Sequence, residues 1–407
     1  MSTFSKQEKS WILYDVANSA FTMLISTTIP IFFRSLAEQD ISAASATGIW
    51  GLSTSLAVLI LAVMSPFLGA LADYRGMKKK MFSVFLVVGV AGLLLLSFSG
   101  NWVGYLMLVI LSRIGYSACN IFYDSMLVDV TSDDRMDRVS SYGYALGYIG
   151  SCIPFAIGIV LILLRPFGLS TQTATQISFV ITALWWVGLT IPLLKNVRQI
   201  HYLEQRENQV RHAFSRVSTT MKKIRKDPTM LSFIIAYFCY IDGVYTIISM
   251  ATTYGGEVGI SDSSMILALL LTQFVAFPCA ILAGRLAEKV GTLKVIRVSI
   301  LVYCGICLFG YQLDQSWEFW VLAVVVGMAQ GGIQSLSRSY FGRIIPKKES
   351  NEYFGFFDIF GKFADFFGPL ILSFCAFAFG SSSYGILGLL VLFVTGYILL
   401  RRIPDTH

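Results

Sequence analysis

The stretch that decides the fold is a short polar loop, Gly69-Ala-Leu-Ala-Asp-Tyr-Arg-Gly-Met-Lys-Lys79, which separates two long apolar segments. Its pattern returns later in the chain as Gly284-Arg-Leu-Ala-Glu-Lys-Val-Gly-Thr-Leu-Lys294. Glycine, leucine, an acidic residue, glycine and lysine match at a constant offset of 215 positions (284 − 69 = 215). A repeat at such a distance indicates that the chain consists of two related halves.

The composition indicates that lipid surrounds most of the chain. Of the 407 residues, 55% are hydrophobic and only 14% are charged, whereas soluble domains carry about 25% charged residues. Apolar runs of about 20 residues, the length that crosses a bilayer as a helix, recur along the sequence. They are continuous, which favours helices over a membrane β-barrel. The first run, 11–33, lacks a small-residue cleavage site, so we expect a spanning helix there and not a removed signal.

Outward from the loop, the apolar runs predict an all-α membrane protein with twelve transmembrane helices in two pseudo-symmetric six-helix bundles. The predicted spans are 11–33, 47–72, 80–99, 103–126, 140–164, 174–195, 229–251, 263–284, 295–313, 317–340, 353–379 and 383–400. We expect residues 1–195 to form the N-terminal bundle, 196–228 a basic cytoplasmic linker and 229–407 the C-terminal bundle.

The distribution of positive charge predicts the orientation in the membrane. With both termini in the cytoplasm, Arg34 and Arg165 alone of the 31 lysines and arginines lie outside, while Arg113 and Lys362 lie within spans. Positively charged residues of membrane proteins concentrate on the cytoplasmic side. The net charge of +7 therefore reflects membrane orientation, and we expect no nucleic acid among the partners.

The residue patterns predict neither an enzyme nor a cofactor site. The seven cysteines all lie in apolar runs, where a thiol usually serves as a small apolar side chain. The three histidines, His201, His212 and His407, lie outside the predicted spans. The sequence also contains no H-E-x-x-H motif and no phosphate-binding loop. We therefore expect no catalysis, no metal and no cofactor.

Polar side chains inside the apolar spans mark the candidate substrate site, because such side chains are costly in lipid and must face water or protein. They recur in the first, fourth, seventh and tenth spans, and a lysine in the eleventh span joins them. The candidate substrate-binding residues are Asp15, Asn18, Arg113, Tyr116, Asn120, Asp242, Tyr245, Gln330, Gln334 and Lys362.

Three acids within the spans are candidates for proton coupling, namely Asp15, Asp242 and Asp365. Burial favours the protonated form of a carboxyl group, so such an acid could bind and release a proton during transport. The alternative is an acid that stays ionised beside Arg113 or Lys362. Asp358 and Lys362 lie four residues apart in one predicted helix, and a purely structural ion pair is the alternative to function there.

The loop at 69–79 resembles the signature of the major facilitator superfamily, G-x-L-a-D-x-x-G-x-k-k, which joins the second and third helices. Glycine suits a tight turn between two membrane helices. The resemblance implies a gating latch in which Asp73 faces the N-terminal end of the eleventh helix, where a helix dipole favours negative charge. The candidate latch residues are Gly69, Asp73, Arg75, Gly76 and, as the pseudo-symmetric partner near the fifth helix, Glu288.

Three further segments resemble the fungal vacuolar amino-acid effluxer (autophagy-related) family and its bacterial relatives. They are Tyr14-Asp-Val-Ala-Asn-Ser-Ala-Phe21, Gly143-Tyr-Ala-Leu-Gly-Tyr-Ile-Gly150 and Gln330-Gly-Gly-Ile-Gln-Ser-Leu-Ser-Arg-Ser339. The resemblance implies export of small metabolites, with amino acids as the leading substrate class, by alternating access of two halves around a central cavity.

The sequence thus predicts a secondary transporter of the bacterial cytoplasmic membrane that acts as a monomer. Its expected partners are a small-molecule substrate, the lipid bilayer and H⁺ as a coupling ion. Two alternatives remain open. One is a lipid or lysolipid flippase on the same fold, and the other is a membrane sensor that binds a ligand without moving it.

Overall fold

The computed structural model of the chain describes residues 4–205, 208–379, 381 and 383–404. Within the helices, the side chains of residues 43, 44, 47, 252, 253, 262, 263, 266, 364–366, 373, 376 and 377 lie outside the description.

Fifteen α-helices make up the described chain. In chain order they are α1 Lys6–Ser26, α2 Thr28–Ala37, α3 Ala43–Ala72, α4 Met77–Leu96, α5 Trp102–Ser125, α6 Leu127–Val130, α7 Met136–Leu164, α8 Thr171–Asn196, α9 Gln209–Lys226, α10 Pro228–Glu257, α11 Asp262–Val290, α12 Thr292–Gly310, α13 Ser316–Ile344, α14 Ser350–Phe379 and α15 Ser383–Arg401.

The predicted all-helical membrane architecture is confirmed. In the described part of the chain, 11 helical stretches are long and apolar enough to cross a membrane. The remaining predicted span, 353–379, coincides with the 30-residue helix α14, which carries six of the side chains that lie outside the description. A helix of that length reaches about 45 Å, more than the thickness of the hydrocarbon core.

The first predicted span, 11–33, is wrong in one respect, because it consists of two helices. The break lies at Thr27, whose φ of −131° and ψ of −76° are not helical. Pro30 follows in the first turn of α2. Proline has no N–H to donate to a preceding turn, and it is tolerated where the N–H groups of a new helix have no partner anyway. Apolar residues flank the short run Ser26-Thr-Thr28 on both sides, so a hydropathy average over the span does not reveal the break.

The two related halves repeat the same helix pairings. In the first half, α1 packs on α8, α4 packs on α5 and α8, and α3 packs on α5. In the second half, α10 packs on α15, α12 packs on α13 and α15, and α11 packs on α13. Each pairing in one half has a counterpart in the other when the spans are counted from the start of their own half. The repeat in the sequence is therefore a repeat in the packing.

Contacts divide the chain into two compact units. The first comprises Met1–Thr131, Leu146–Ala213 and Lys347–Gly355, and the second comprises Ser132–Ala145, Phe214–Pro346 and Phe356–His407. Along the chain, α7 and α14 therefore each begin in one unit and continue in the other. The first residues of each helix therefore belong to a different compact unit from the rest of that helix.

The basic linker contains an amphipathic helix, α9. Ala213, Thr220 and Ile224 are buried on one face. Its last turn carries Lys223, Arg225 and Lys226, where positive charge complements the helix dipole.

The backbones of α4 and α5 approach each other closely at two glycines. A Cβ atom built on Gly115 would lie 2.3 Å from the backbone nitrogen of Gly89 and 2.7 Å from the carbonyl oxygen of Phe85. Small residues allow membrane helices to pack at such distances, and the resulting van der Waals contact stabilises the pair. Any larger side chain at 115 must push the two helices apart.

We predict that Gly115→Ala destabilises the protein by about 1–3 kcal/mol, because the added methyl group meets backbone atoms that cannot rotate away. Thermal unfolding of the purified protein in detergent measures the effect as a lower melting temperature. Gly305→Ala is the matched control, since a Cβ atom at Gly305 would meet nothing within 4 Å. Its melting temperature should be unchanged or slightly raised, and equal melting temperatures for the two variants would contradict the close approach.

Candidate functional site

The loop at 69–79 places its acid, Asp73, against the first turn of α14. The side chain of Asp73 is fully buried. Its Oδ1 atom accepts hydrogen bonds from the backbone N–H and the side-chain amide of Asn351, both at 2.9 Å. Asn351 is the second residue of α14, so the carboxylate lies at the positive end of that helix. We call this contact the Asp73–Asn351 latch.

Two glycines give the loop its shape. A Cβ atom on Gly69 would lie 2.2 Å from the carbonyl oxygen of Asn351, so the latch requires a residue without a side chain there. Gly76 has a φ of +75°, a left-handed conformation that other residues adopt only with strain. Arg75, between them in the signature, is exposed and lies over the ring of Tyr202 at 5.4 Å.

A buried ion pair that the sequence analysis did not identify lies next to the latch. The Nζ atom of Lys78 donates to Oδ2 of Asp129 at 2.6 Å, and it also contacts the carbonyl oxygen of Ser125 and the hydroxyl of Ser350. Lys78 and Asp129 are only 1% and 4% exposed. Ser125 in turn donates to the side-chain oxygen of Asn351. The ion pair and the latch therefore share one hydrogen-bond network.

The start of the linker is bonded to the same loop. We call residues 197–205 the linker strap. Leu203 pairs with the loop through its backbone, donating to the carbonyl of Asp73 and accepting from the N–H of Arg75. The side chain of Gln199 donates to the carbonyl of Ala72 and accepts from the N–H of Gly76. These bonds hold the strap alongside the loop much as a short β-bridge would.

The strap also reaches Asp129. The second oxygen of this carboxylate, Oδ1, accepts from the backbone N–H groups of Ile200 and His201 at 3.0 and 2.9 Å, and the His201 ring lies 3.1 Å away. Both oxygens of Asp129 are thus bonded. Hydrogen bonds to both oxygens offset the free-energy cost of burying a carboxylate. The available signal was an acid at the end of an apolar run, in the stretch Met126-Leu-Val-Asp-Val130.

The second unit holds a corresponding network with different chemistry. Glu288, predicted as the counterpart of Asp73, is exposed. The buried acid is Asp137 in the first turn of α7, and its carboxylate accepts from both terminal nitrogens of Arg343 at 2.9 and 2.8 Å. Asp137 also accepts from Ser339 and from Thr292, the first residue of α12. A bidentate pair of this type is among the strongest polar contacts in proteins.

A second cation of α13 lies beside the first turns of α7. Arg338 is 3% exposed. Its guanidinium donates to the hydroxyl and the carbonyl of Ser140 at 2.9 and 3.2 Å and lies 4.3 Å from the ring centre of Tyr144. Ser140 donates to the carbonyl of Ser335, and Gly284 lies so close that a Cβ atom there would be 2.6 Å from Ser141. The start of α7 is thus fixed within the second unit.

Within the first unit, the structure brings together the predicted polar residues of α1 and α5. The amide of Asn18 donates to that of Asn120 at 2.9 Å, and the hydroxyls of Thr22 and Tyr116 are 2.7 Å apart. Asp15 is 7% exposed and lies on the same helix as Asn18. Arg113 and Tyr116 are half-buried on α5. Amide and hydroxyl groups within an apolar bundle form a surface that can orient a polar solute.

In the second unit, the predicted residues fall into separate contacts. Asp242 is fully buried in α10 and accepts from the backbone N–H of Gly368 in α14 at 2.9 Å. Lys362 pairs with Asp358 one turn earlier in the same helix. Gln330 and Gln334, on α13, are 5% and 9% exposed.

Two further predicted residues complete the set. Tyr245, on α10, is half-buried. The side chain of the proton-coupling candidate Asp365 lies outside the described residues.

The fold is shared with solved transporter structures. The human organic anion transporter MFSD10 (TETRAN) superposes with a TM-score of 0.76 and 13% identity, covering 97% of this chain and 99% of that chain. The Major Facilitator Superfamily transporter FucP, solved in the outward conformation, gives a TM-score of 0.74 and 14% identity over 98% of each chain. At these identities the likeness shows the fold alone.

Sequence comparison identifies nearer relatives. The MFS-type transporter YxiO of Bacillus subtilis (strain 168) is 45% identical over 412 residues, covering 100% of this chain and 96% of that protein. Autophagy-related protein 22 of Cryptococcus neoformans is 27% identical over 303 residues, covering 69% of this chain and 54% of that protein.

A family model fixes the assignment. The model described as "Vacuole effluxer Atg22 like" matches residues 41–406, which is most of the chain. Both the helix pairings and the signature loop agree with that match. The chain is a multi-pass membrane transporter of the major facilitator type and belongs to the vacuole effluxer Atg22-like family.

Proposed function

We propose that the protein is a secondary active transporter that exports a small polar metabolite, an amino acid above other classes, by alternating access. The observation that carries the proposal is the Asp73–Asn351 latch. The carboxylate holds only the first turn of α14, and that helix continues along the chain into the second compact unit. A contact that holds only the first turn of a helix can be made and broken without unfolding that helix, as a two-state gate requires.

The chemistry of the predicted cargo site supports an amino acid. A zwitterion needs a cation for its carboxylate and an anion for its amine. Arg113 on α5 supplies the first, and Asp15 on α1 or Asp242 on α10 supplies the second. Asn18 and Tyr116 would orient the rest of the solute through hydrogen bonds. The printed description of the family, a vacuole effluxer, supports export as the direction.

Coupling to protons belongs to the same proposal. Asp242 is fully buried and bonded to a backbone N–H group, and loss of its charge on protonation would weaken that bond and free α14 at Gly368. Asp15 and Asp365 are the other candidates.

We place the protein in a bacterial cytoplasmic membrane with both termini inside, on the charge distribution. Its two bundles, 1–195 and 229–407, would work as a monomer.

We predict that Asp73→Asn slows transport at least tenfold without unfolding the protein, because the amide keeps one acceptor oxygen but loses the charge that the α14 terminus favours. Efflux of a panel of radiolabelled amino acids from proteoliposomes measures the rate. Asp134→Asn is the matched control, since Asp134 is exposed in the turn before α7. Normal flux in Asp73→Asn would remove the latch from the mechanism.

We predict that Arg113→Ala lowers the affinity for the transported amino acid by about 10- to 100-fold, the value of a charge-assisted hydrogen bond of about 1.5–3 kcal/mol. Binding is measured by thermal shift of the purified protein against the same panel. Arg34→Ala is the control, because the Arg34–Glu38 pair lies on the surface.

An amino alcohol that lacks the carboxylate separates charge recognition from general damage. It should bind wild type and Arg113→Ala equally well. If Arg113→Ala leaves the affinities for the whole amino-acid panel unchanged, Arg113 does not contact the cargo. If proteoliposomes move phospholipid and no amino acid, the flippase alternative replaces the present proposal.

A further inference from the structure

The second unit contains a partly open cavity that the transport proposal does not use. It has a volume of about 100 Å³ and lies inside the bundle formed by α10 to α15. All six helices contribute to its wall, through residues such as Thr246, Leu269, Ile306, Phe319, Leu372 and Ile386. A guest that fills such an apolar cavity gains van der Waals contacts with the side chains around it.

The cavity is elongated, and Gln330 lies at one end of it. On α13 the wall extends from Phe319 to Gln330, which at 1.5 Å per residue is about 16 Å. A Cβ atom on Gly255 would lie 3.1 Å from Phe319, so the neighbouring Tyr254 of α10 lies at the Phe319 end. Gln330 therefore lies at the opposite end. A slot of this length and lining matches the shape of an unbranched alkyl chain.

The polar groups that line the cavity differ in whether they have hydrogen-bond partners. The Tyr254 hydroxyl donates to the carbonyl of Gly310, and the Thr272 hydroxyl is bonded to the carbonyls of Ala268 and Ala323. Thr246, by contrast, has a buried hydroxyl without a hydrogen-bond partner among the described residues. The amide of Gln330, a residue 5% exposed, also makes no hydrogen bond in the described part of the chain. A polar group without a partner in an apolar wall is costly, so a guest that hydrogen-bonds to the Gln330 amide is favoured.

The charges of a zwitterionic cargo exclude it from this cavity. Among the described residues that line it, none is an Asp, Glu, Lys, Arg or His. A zwitterion or an ion would lose its hydration without compensation there. The guest must therefore be neutral, apolar along most of its length, and equipped with one hydrogen-bonding group at one end.

We propose that this cavity binds one neutral alkyl amphiphile, such as a long-chain alcohol or an acylglycerol chain, whose hydroxyl pairs with Gln330. The inference does not rest on transport, because occupancy can be measured without flux. It also gives Gln330 a role apart from the cargo site to which the sequence analysis assigned it.

The test uses the full chain in nanodiscs and a photoreactive 1-decanol that carries a diazirine at its tail. Labelled residues are located by mass spectrometry. We expect saturable labelling on α10 and α13 near Tyr254 and Phe319, competed by 1-decanol about tenfold better than by decane, the factor given by one hydrogen bond. In Gln330→Leu this preference for the alcohol should be lost while labelling by the chain persists.

Two variants show whether the guest occupies the cavity. Ala323→Phe fills it and should lower labelling at least tenfold, whereas Val321→Phe, at a position 41% exposed on the same helix, should leave it unchanged. Should Ala323→Phe fail to fold, Gly310→Ala serves instead, because its methyl group would lie 3.7 Å from Leu322 and 3.9 Å from Ile386. That variant should lower labelling severalfold. The proposal is overturned if labelling does not saturate, or if it is unchanged in whichever of Ala323→Phe and Gly310→Ala is folded.

Discussion

The structure depends on how a buried carboxylate is held at the start of a helix. Asp73 lies at the end of α3, and two N–H donors of Asn351 bond to one of its oxygens. A charge with so little exposure would be unfavourable in an apolar bundle without such donors and without the partial positive charge of the helix terminus. The glycine at 69 and the left-handed glycine at 76 bring these groups into contact.

The adjoining ion pair solves the same problem in another way. Lys78 and Asp129 are both buried, and each has several partners besides the other. Removing one member of such a pair is costly because the other charge remains buried, whereas the intact pair contributes little net stability. The arrangement therefore serves specificity more than stability: it fixes which residues meet at the start of α14. The Asp137–Arg343 pair does the same for the start of α7.

Much of the architecture was predictable, because lipid imposes strong rules on sequence. Continuous apolar runs of helical length and the repeated loop predicted the spans and the two related halves. The break at Thr27 was not predictable, since a change of backbone direction leaves hydropathy unaltered. Nor were the partners of Lys78, because Asp129 and Ser350 lie 51 and 272 residues away in sequence.

The repeat itself was a limited guide to chemistry. Both halves have the same helix pairings, yet the polar contacts differ between the two compact units. The first unit places its acid in the loop and an amide at the start of α14. The second unit places its acid at the start of α7 and an arginine on α13. Backbone packing is conserved between the copies because it depends on shape, whereas a polar contact can be rebuilt by changing two or three side chains. A matching motif in the second copy therefore does not imply a matching partner.

The linker strap shortens the part of the connection between the halves that is free to extend. Between α8 and α10 the chain has 31 residues (227 − 197 + 1 = 31). Fully extended, a segment of this length would span about 100 Å. Nine of them are fastened along the loop that carries Asp73, and 18 more are coiled into α9, which is about 27 Å long. Leu203 of the strap donates to the carbonyl of Asp73 itself, so a displacement of the strap acts directly on the residue that closes the latch.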